Sequence, residues 1–178
     1  SLGVLGENGR GLAEEAGVEE GVDFVVGTFS KSLGAIGGFC VSNHPELDLV
    51  RYASRPYVFT ASSSPSIIAS TRRALQILST KPELRHRLWE NARKLYGTLQ
   101  DLGFDLGPEV SPIVAARFDD MQKALAFWNG LLKRGVYVNM VLPPATPDGR
   151  CLLRCSVSAG HTPEQMESIC QAFKDVKG

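Results

Sequence analysis

The sequence predicts an α/β chain in two domains, on three observations. An apolar run, Phe24-Val25-Val26, leads straight into a loop of glycines, hydroxyls and one lysine, as a buried strand does at the end where α/β sheets bind ligands. Downstream, segments with strand and helix periodicity alternate, such as Ile113 to Phe118 followed by Met121 to Lys133. Between the two halves, Thr80-Lys81-Pro82 punctuates the chain just before a long leucine-stepped helix.

The elements follow in order. Residues 1–11 form a glycine-rich turn, and Leu12 to Ala16 a short helix. Asp23 to Phe29 is expected as a buried strand and Gly38 to Ser42 as a second, with Phe39 and Val41 on one face. Asn43-His44-Pro45 opens a helix through Ala53, with proline in its first turn. Tyr57 to Thr60 is expected as a short strand. Ser64-Pro65 starts a helix with Ile67, Ile68, Thr71, Leu75 and Leu78 on one face. Leu84, Leu88, Ala92, Leu95, Leu99 and Leu102 mark the next helix, closed by Gly103. The domain boundary is placed at residue 80, giving 1–80 and 81–178. In the second part Ile113 to Phe118, Val136 to Val141 and Cys151 to Val157 read as strands. Met121 to Lys133 reads as a helix with Leu125, Trp128 and Leu132 inward. Thr162-Pro163-Glu164-Gln165 is a capping box opening a helix that buries Met166, Ile169, Cys170 and Phe173.

Composition excludes several classes. The 178 residues are 43% hydrophobic and 21% charged, ordinary globular values. Nineteen Lys and Arg balance nineteen Asp and Glu, so no basic field points to nucleic acid. No apolar run approaches a membrane span and no leader peptide is visible, so a cytoplasmic location is expected. Cys40, Cys151, Cys155 and Cys170 form no Cys-x-x-Cys pair or zinc cluster and read as small buried residues; no metal is expected.

The chemistry concentrates in Gly27-Thr28-Phe29-Ser30-Lys31-Ser32-Leu33-Gly34-Ala35-Ile36-Gly37-Gly38-Phe39. Thr28 and Ser30 offer hydroxyls to an anion. A lysine shielded from water loses part of its preference for the charged form, so its amine can attack a carbonyl. The residues thus suggest a carbonyl-reactive lysine beside a phosphate pocket. A solvated surface lysine is the plain alternative. A Walker-type loop fails on spacing, because the glycine cluster follows the lysine. In the strand 151–157, Arg154 shares the face away from the core with Leu152, Ser156 and Ser158. It reads either as a bidentate carboxylate clamp or as a surface salt-bridge former. Thr60 to Ser64 reads as helix capping, which also suits a phosphate. Pro143-Pro144-Ala145-Thr146-Pro147 cannot be regular structure and is a stiff loop. No nucleophile–base triad and no carboxylate pair is visible.

Gly-Thr-Phe-Ser-Lys-Ser followed by Gly-Gly-Phe resembles the lysine segment of the α-oxoamine synthases. These enzymes use pyridoxal 5'-phosphate (PLP) on fold type I, the aspartate aminotransferase-like fold. Ser1-Leu2-Gly3-Val4-Leu5-Gly6-Glu7-Asn8-Gly9-Arg10-Gly11, Arg55 to Ser62, Pro143 to Pro147 and Leu153-Arg154-Cys155-Ser156 resemble further family segments in matching order, over essentially the whole chain. The resemblance implies the C-terminal part of the large PLP domain plus a small α+β domain. It also implies a separate upstream half carrying an aspartate and histidines for the cofactor ring.

By the same resemblance, Lys31 is the catalytic, cofactor-holding lysine. Thr28, Ser30, Thr60 and Ser62 contact the cofactor, Thr60 across a homodimer with shared active sites. Arg154 and Thr146 contact substrate. The implied activity is decarboxylative condensation of L-serine with palmitoyl-CoA to 3-ketodihydrosphingosine. Leu142 stands where the pattern carries an arginine linked to the serine carboxylate, which leaves glycine- or alanine-using sister enzymes open. A fragment inactive without an upstream polypeptide is the third reading.

Overall fold

The structure is a computed structural model that describes residues 1–146 and 148–178. The chain divides into two compact units, Ser1–Arg85 and His86–Gly178.

In the first unit the glycine-rich start folds back on itself. Gly3 N donates to Gly9 O at 2.7 Å and Gly11 N to Leu5 O at 3.0 Å. The Glu14 carboxylate accepts from the amides of Asn8 and Arg10, and Arg10 grips Glu19 with two bonds of 2.8 and 2.6 Å. The Arg85 guanidinium donates to the Glu7 carbonyl. Helix α1 (Leu12–Glu15) follows. Strands β1 (Val25–Thr28) and β2 (Gly38–Val41) form a two-stranded antiparallel ribbon in which Val25 faces Val41 and Thr28 faces Gly38. The ribbon requires two bare backbones. A first side-chain carbon on Gly27 would lie 2.5 Å from the Phe39 ring, and one on Gly38 would lie 2.5 Å from the Gly27 carbonyl. Helices α2 (Leu47–Ala53), α3 (Arg55–Val58) and α4 (Pro65–Thr80) complete the unit. Ser64 caps α4 by accepting from Ile67 N.

Three expectations for this unit are corrected. Residues 57–60 are not a strand: Ser54 takes extended backbone and Pro56 sits in the first turn of α3, where its fixed φ starts a helix. The strand expected to be buried is exposed, with Val26 at 76%. Its ribbon has no third strand and no covering layer among the described residues. Cys40 on β2 is exposed for the same reason, whereas the other three cysteines are buried and free.

The second unit is built around a three-stranded antiparallel sheet of order β3-β5-β4, from β3 (Ile113–Phe118), β4 (Asn139–Val141) and β5 (Cys151–Ser156). Helices α5 (Pro82–Asp101), α6 (Met121–Lys133) and α7 (Pro163–Lys177) supply the rest of its core. Leu95 and Leu99 of α5, Phe127 and Leu131 of α6, and Met166, Cys170 and Phe173 of α7 pack with Val114, Leu153 and Cys155 of the sheet. The Phe127 and Phe173 rings lie 5.8 Å apart, and Phe104 meets both edge-on. The Trp128 indole N–H reaches the Val138 carbonyl at 2.8 Å.

The capping box forms as expected: Gln165 N donates to Thr162 Oγ1 at 3.2 Å and Thr162 N to Gln165 Oε1 at 2.9 Å. The ladder of β4 starts at Asn139, later than the sequence suggests. The buried stripe of α6 is Ala124, Phe127 and Leu131, one position before the expected Leu125 and Leu132, which are half-exposed. Apolar residues occupy both rows of this helix, so periodicity alone leaves a rotation of one residue undetermined; packing against α7 and the sheet selects the row with Phe127.

Candidate active site

The loop joining β1 to β2 is closed by its own backbone. Phe29 N donates to Gly37 O at 2.9 Å, Ala35 N to Phe29 O at 2.8 Å and Gly34 N to Lys31 O at 3.0 Å. Gly34 and Gly37 take φ of 60° and 109°, conformations that L side chains rarely adopt. Phe29 stacks on Phe39 with centroids 5.8 Å apart, anchoring the residue before Ser30-Lys31. Thr28 Oγ1 lies 2.8 Å from Ser30 Oγ, accepts from Ser30 N and reaches the Gly37 carbonyl at 3.2 Å. The two hydroxyls expected beside the lysine are therefore together.

Lys31 itself is exposed, and its amine has no hydrogen bond or ion pair among the described residues. The shielding expected of it is not supplied by the described residues, because the ribbon beneath the loop is itself uncovered.

The hydroxyl run after α3 comes back to this loop. Ser63 Oγ is 3.6 Å from where a side chain on Gly37 would begin. Thr60 and Ser62 precede it and are exposed, and neither side chain has a partner among the described residues.

Arg154 and Thr146 belong to the second unit. Along β5, Cys151, Leu153 and Cys155 are buried while Arg154 and Ser156 are exposed, the alternation read from the sequence. Arg154 lies on the central strand, with Ala115 and Asn139 opposite it on the two flanking strands. Its guanidinium has no partner among the described residues, so the salt-bridge alternative is not what this fold builds. Thr146 is only 5% exposed and its hydroxyl has no partner among the described residues. Pro147 of the same loop lies outside the described residues.

Two arrangements escaped the sequence. Asn91 is buried on α5 and donates to the carbonyls of Ser158 and His161 at 3.0 and 3.2 Å, while His161 Nδ1 accepts from Ser158 N. These bonds fix the turn after β5; the signal was a polar residue next to Ala92 on an otherwise apolar stripe. In the other, Arg150 bonds Asp148 and Asp105 at 2.9 and 2.7 Å, and Arg117 bonds Asp105 at 3.1 Å. The hydrogen bond from Arg150 holds the Asp105 carboxyl below the usual aspartate range. Arg117 and Arg150 lie 12 and 45 residues from Asp105, beyond any local pattern. No group of three or more possible metal ligands occurs among the described residues.

Comparison with known proteins places the chain. The model of the family "Aminotransferase class I and II" matches residues 3–173, and the chain belongs to that family. It is 59% identical over 176 residues to the serine palmitoyltransferase of Caulobacter vibrioides, a match of 99% of this chain and 44% of that protein. It is 38% identical over 174 residues to the 8-amino-7-oxononanoate synthase of Alkaliphilus oremlandii. Among solved structures, the serine palmitoyltransferase of Sphingomonas wittichii superposes with a TM-score of 0.94 at 51% identity, over 98% of this chain and 44% of that one. The fold is that of PLP-dependent fold type I. The chain spans less than half the length of the curated relatives it matches.

Proposed function

We propose that this chain is the C-terminal portion of a PLP-dependent acyltransferase that condenses L-serine with palmitoyl-CoA to 3-ketodihydrosphingosine, the opening step of sphingolipid synthesis. The observation that carries the reading is 59% identity to a serine palmitoyltransferase across 99% of the chain. The first unit then belongs to the large cofactor domain and the second is the small domain.

The residues present fit the cofactor. Lys31, whose amine has no partner among the described residues, directly follows two hydroxyl side chains 2.8 Å apart, and Gly34 and Gly37 turn the loop with positive φ. Lys31 would hold the cofactor's aldehyde carbon, and Thr28 and Ser30 its phosphate. Ser62 would contact the cofactor, and Thr60 would reach the phosphate of a neighbouring subunit, which makes a homodimer the working form. Bound there, PLP supplies an electron sink for the negative charge that develops at the amino acid's α-carbon.

The amino acid's own nitrogen would displace Lys31 Nζ from the aldehyde carbon, freeing it to take the α-proton and to return a proton after carbon–carbon bond formation, CoA leaving as the thiol and the carboxylate as CO2. Arg154 grips the amino acid's carboxylate with two parallel hydrogen bonds from rigid strand backbone. Thr146, whose buried hydroxyl lacks a partner among the described residues, is assigned to a substrate contact. No helix among the described residues is long and apolar enough to cross a membrane, which accords with a cytoplasmic enzyme.

The test uses the full-length enzyme. Lys31→Ala is expected to abolish both the visible absorption of bound cofactor and turnover; an unchanged spectrum removes Lys31 from the chemistry. Arg154→Lys is expected to raise KM for serine at least tenfold with cofactor absorption retained, because an ammonium cannot reproduce the bidentate grip.

A second reading is a sister α-oxoamine synthase using glycine or alanine, favoured by the 38% identity to 8-amino-7-oxononanoate synthase and by Leu142. A panel of amino acids against acyl-CoA lengths separates the two.

A further inference from the structure

The outer face of the β3-β5-β4 sheet carries a polar pair of which the proposed chemistry uses one member. Asn139 of β4 lies directly opposite Arg154 of β5, so their side chains share a face. Val138 and Met140, on either side of Asn139, pack into the core, which turns Asn139 away from the helices. The Trp128 indole holds the Val138 carbonyl, so Asn139 follows an anchored residue. Side chains opposed in such a ladder begin about 5 Å apart. Asn139 is half-buried, and its carboxamide has no partner among the described residues, Arg154 included. On the other flank of Arg154 stands Ala115, which offers no polar side-chain atom. The adjacent row pairs Leu152 with Val141, both apolar and half-buried. The neighbouring Arg117 and Arg150 are committed to Asp105. A guanidinium and a carboxamide, each without a partner among the described residues, thus stand side by side.

We infer that Asn139 is the residue that distinguishes serine from alanine and glycine: with the amino acid's carboxylate on Arg154, the Asn139 carboxamide receives the β-hydroxyl. The inference rests on the carboxylate role proposed above for Arg154. Serine carries its hydroxyl on the carbon next to the one bearing the carboxylate, so the two groups fit within one strand spacing of about 4.8 Å. A carboxamide both donates and accepts, and can satisfy the hydroxyl's proton and its oxygen together. Alanine and glycine leave it unpaired, and a site built to bond a hydroxyl rejects substrates that lack one. Ala115 cannot play this part. Ser156, two residues along β5, lies diagonal to Asn139 at about 7–8 Å and is the competing candidate.

The test uses the full-length enzyme with serine and alanine as substrates. Asn139→Ala is expected to lower kcat/KM for serine at least tenfold and to change that for alanine less than threefold. Titration calorimetry of each amino acid without acyl-CoA is expected to show affinity lost for serine alone, with cofactor absorption retained. Asn139→Asp sets a carboxylate beside Arg154 to compete with that of the substrate, and is expected to raise KM for both amino acids at least tenfold.

An equal fall for serine and alanine in Asn139→Ala overturns the inference, because it marks a residue that only steadies Arg154 or the sheet. Loss of the serine preference in Ser156→Ala but not in Asn139→Ala overturns it, as does an unmoved KM in Asn139→Asp. A wild-type enzyme that prefers alanine or glycine overturns the inference and the proposed activity together. One that prefers serine, loses that preference in Asn139→Ala and takes an acyl-CoA other than palmitoyl-CoA sinks the proposed activity alone.

Discussion

The two units use similar elements and reach opposite ends of burial. The second packs three helices and a sheet around one phenylalanine- and leucine-rich core. The first leaves Val26, Ile36, Tyr52 and Phe59 in solvent and buries Leu33 alone among its apolar side chains. Composition does not separate them, because both carry valines, leucines and phenylalanines at regular spacing. The difference is in layers. Each helix of the second unit finds a sheet or helix for its apolar face, whereas the ribbon of the first offers two strands and two open edges. A lone two-stranded ribbon is marginal in water, while three strands with a helical layer suffice. Burial therefore depends on having a partner layer, not on having apolar residues.

That contrast is open to measurement, from its largest expected effect to its smallest. Phe173→Ala in the second unit leaves a cavity among Phe104, Phe127 and Leu153 and is expected to cost about 3–5 kcal/mol. Chemical denaturation followed by the Trp128 fluorescence of that unit checks it, and a cost below about 1 kcal/mol would show that the core is looser than described. Thr162→Ala removes one half of the capping box of α7 and is expected to cost about 1 kcal/mol in the same assay.

Acid should act on the second unit through Asp105 and Asp148. The hydrogen bond from Arg150 lowers Asp105, and the Arg150 amide followed by its side chain lowers Asp148, both from an ordinary 3.8. A depressed carboxyl stabilises above its unfolded value and loses that contribution as pH falls through the folded one. The denaturation midpoint should therefore drop as pH goes below about 4, and less steeply in Asp105→Asn. These groups are exposed, and the slope should shrink at high salt. Val26→Asn in the chain alone should change stability by less than about 0.5 kcal/mol, because that side chain is 76% exposed. A larger loss would mean that the ribbon has a partner layer after all.

Local signals were legible where they were chemically specific. Thr162-Pro163-Glu164-Gln165 marked a capping box, and the alternation of β5 placed Arg154 outward and Leu153 inward. Gly103 marked a helix end and takes the left-handed backbone it was read for, at φ 73°. The clustering of Thr28 and Ser30 before Lys31 was legible because the three residues are adjacent in the chain. Readings failed where a neighbour decides the outcome. The face of α6 turned by one residue, and the segment after Ser54 became a helix although Tyr57, Val58 and Phe59 all favour strands. Asn91 and the Arg150 cluster were invisible because their partners lie far along the chain.

By itself the sequence determined the elements with strong local chemistry: the lysine loop with its glycines and hydroxyls, the caps and the faces of β5. Those depend on backbone angles and hydrogen bonds a few residues long. Only the tertiary structure decided which apolar side chains leave water, where Ser63 comes to rest against Gly37, and that Arg154, on a central strand, has no partner among the described residues. Burial and pairing are properties of surfaces that meet, and a linear pattern carries no record of which surface arrives.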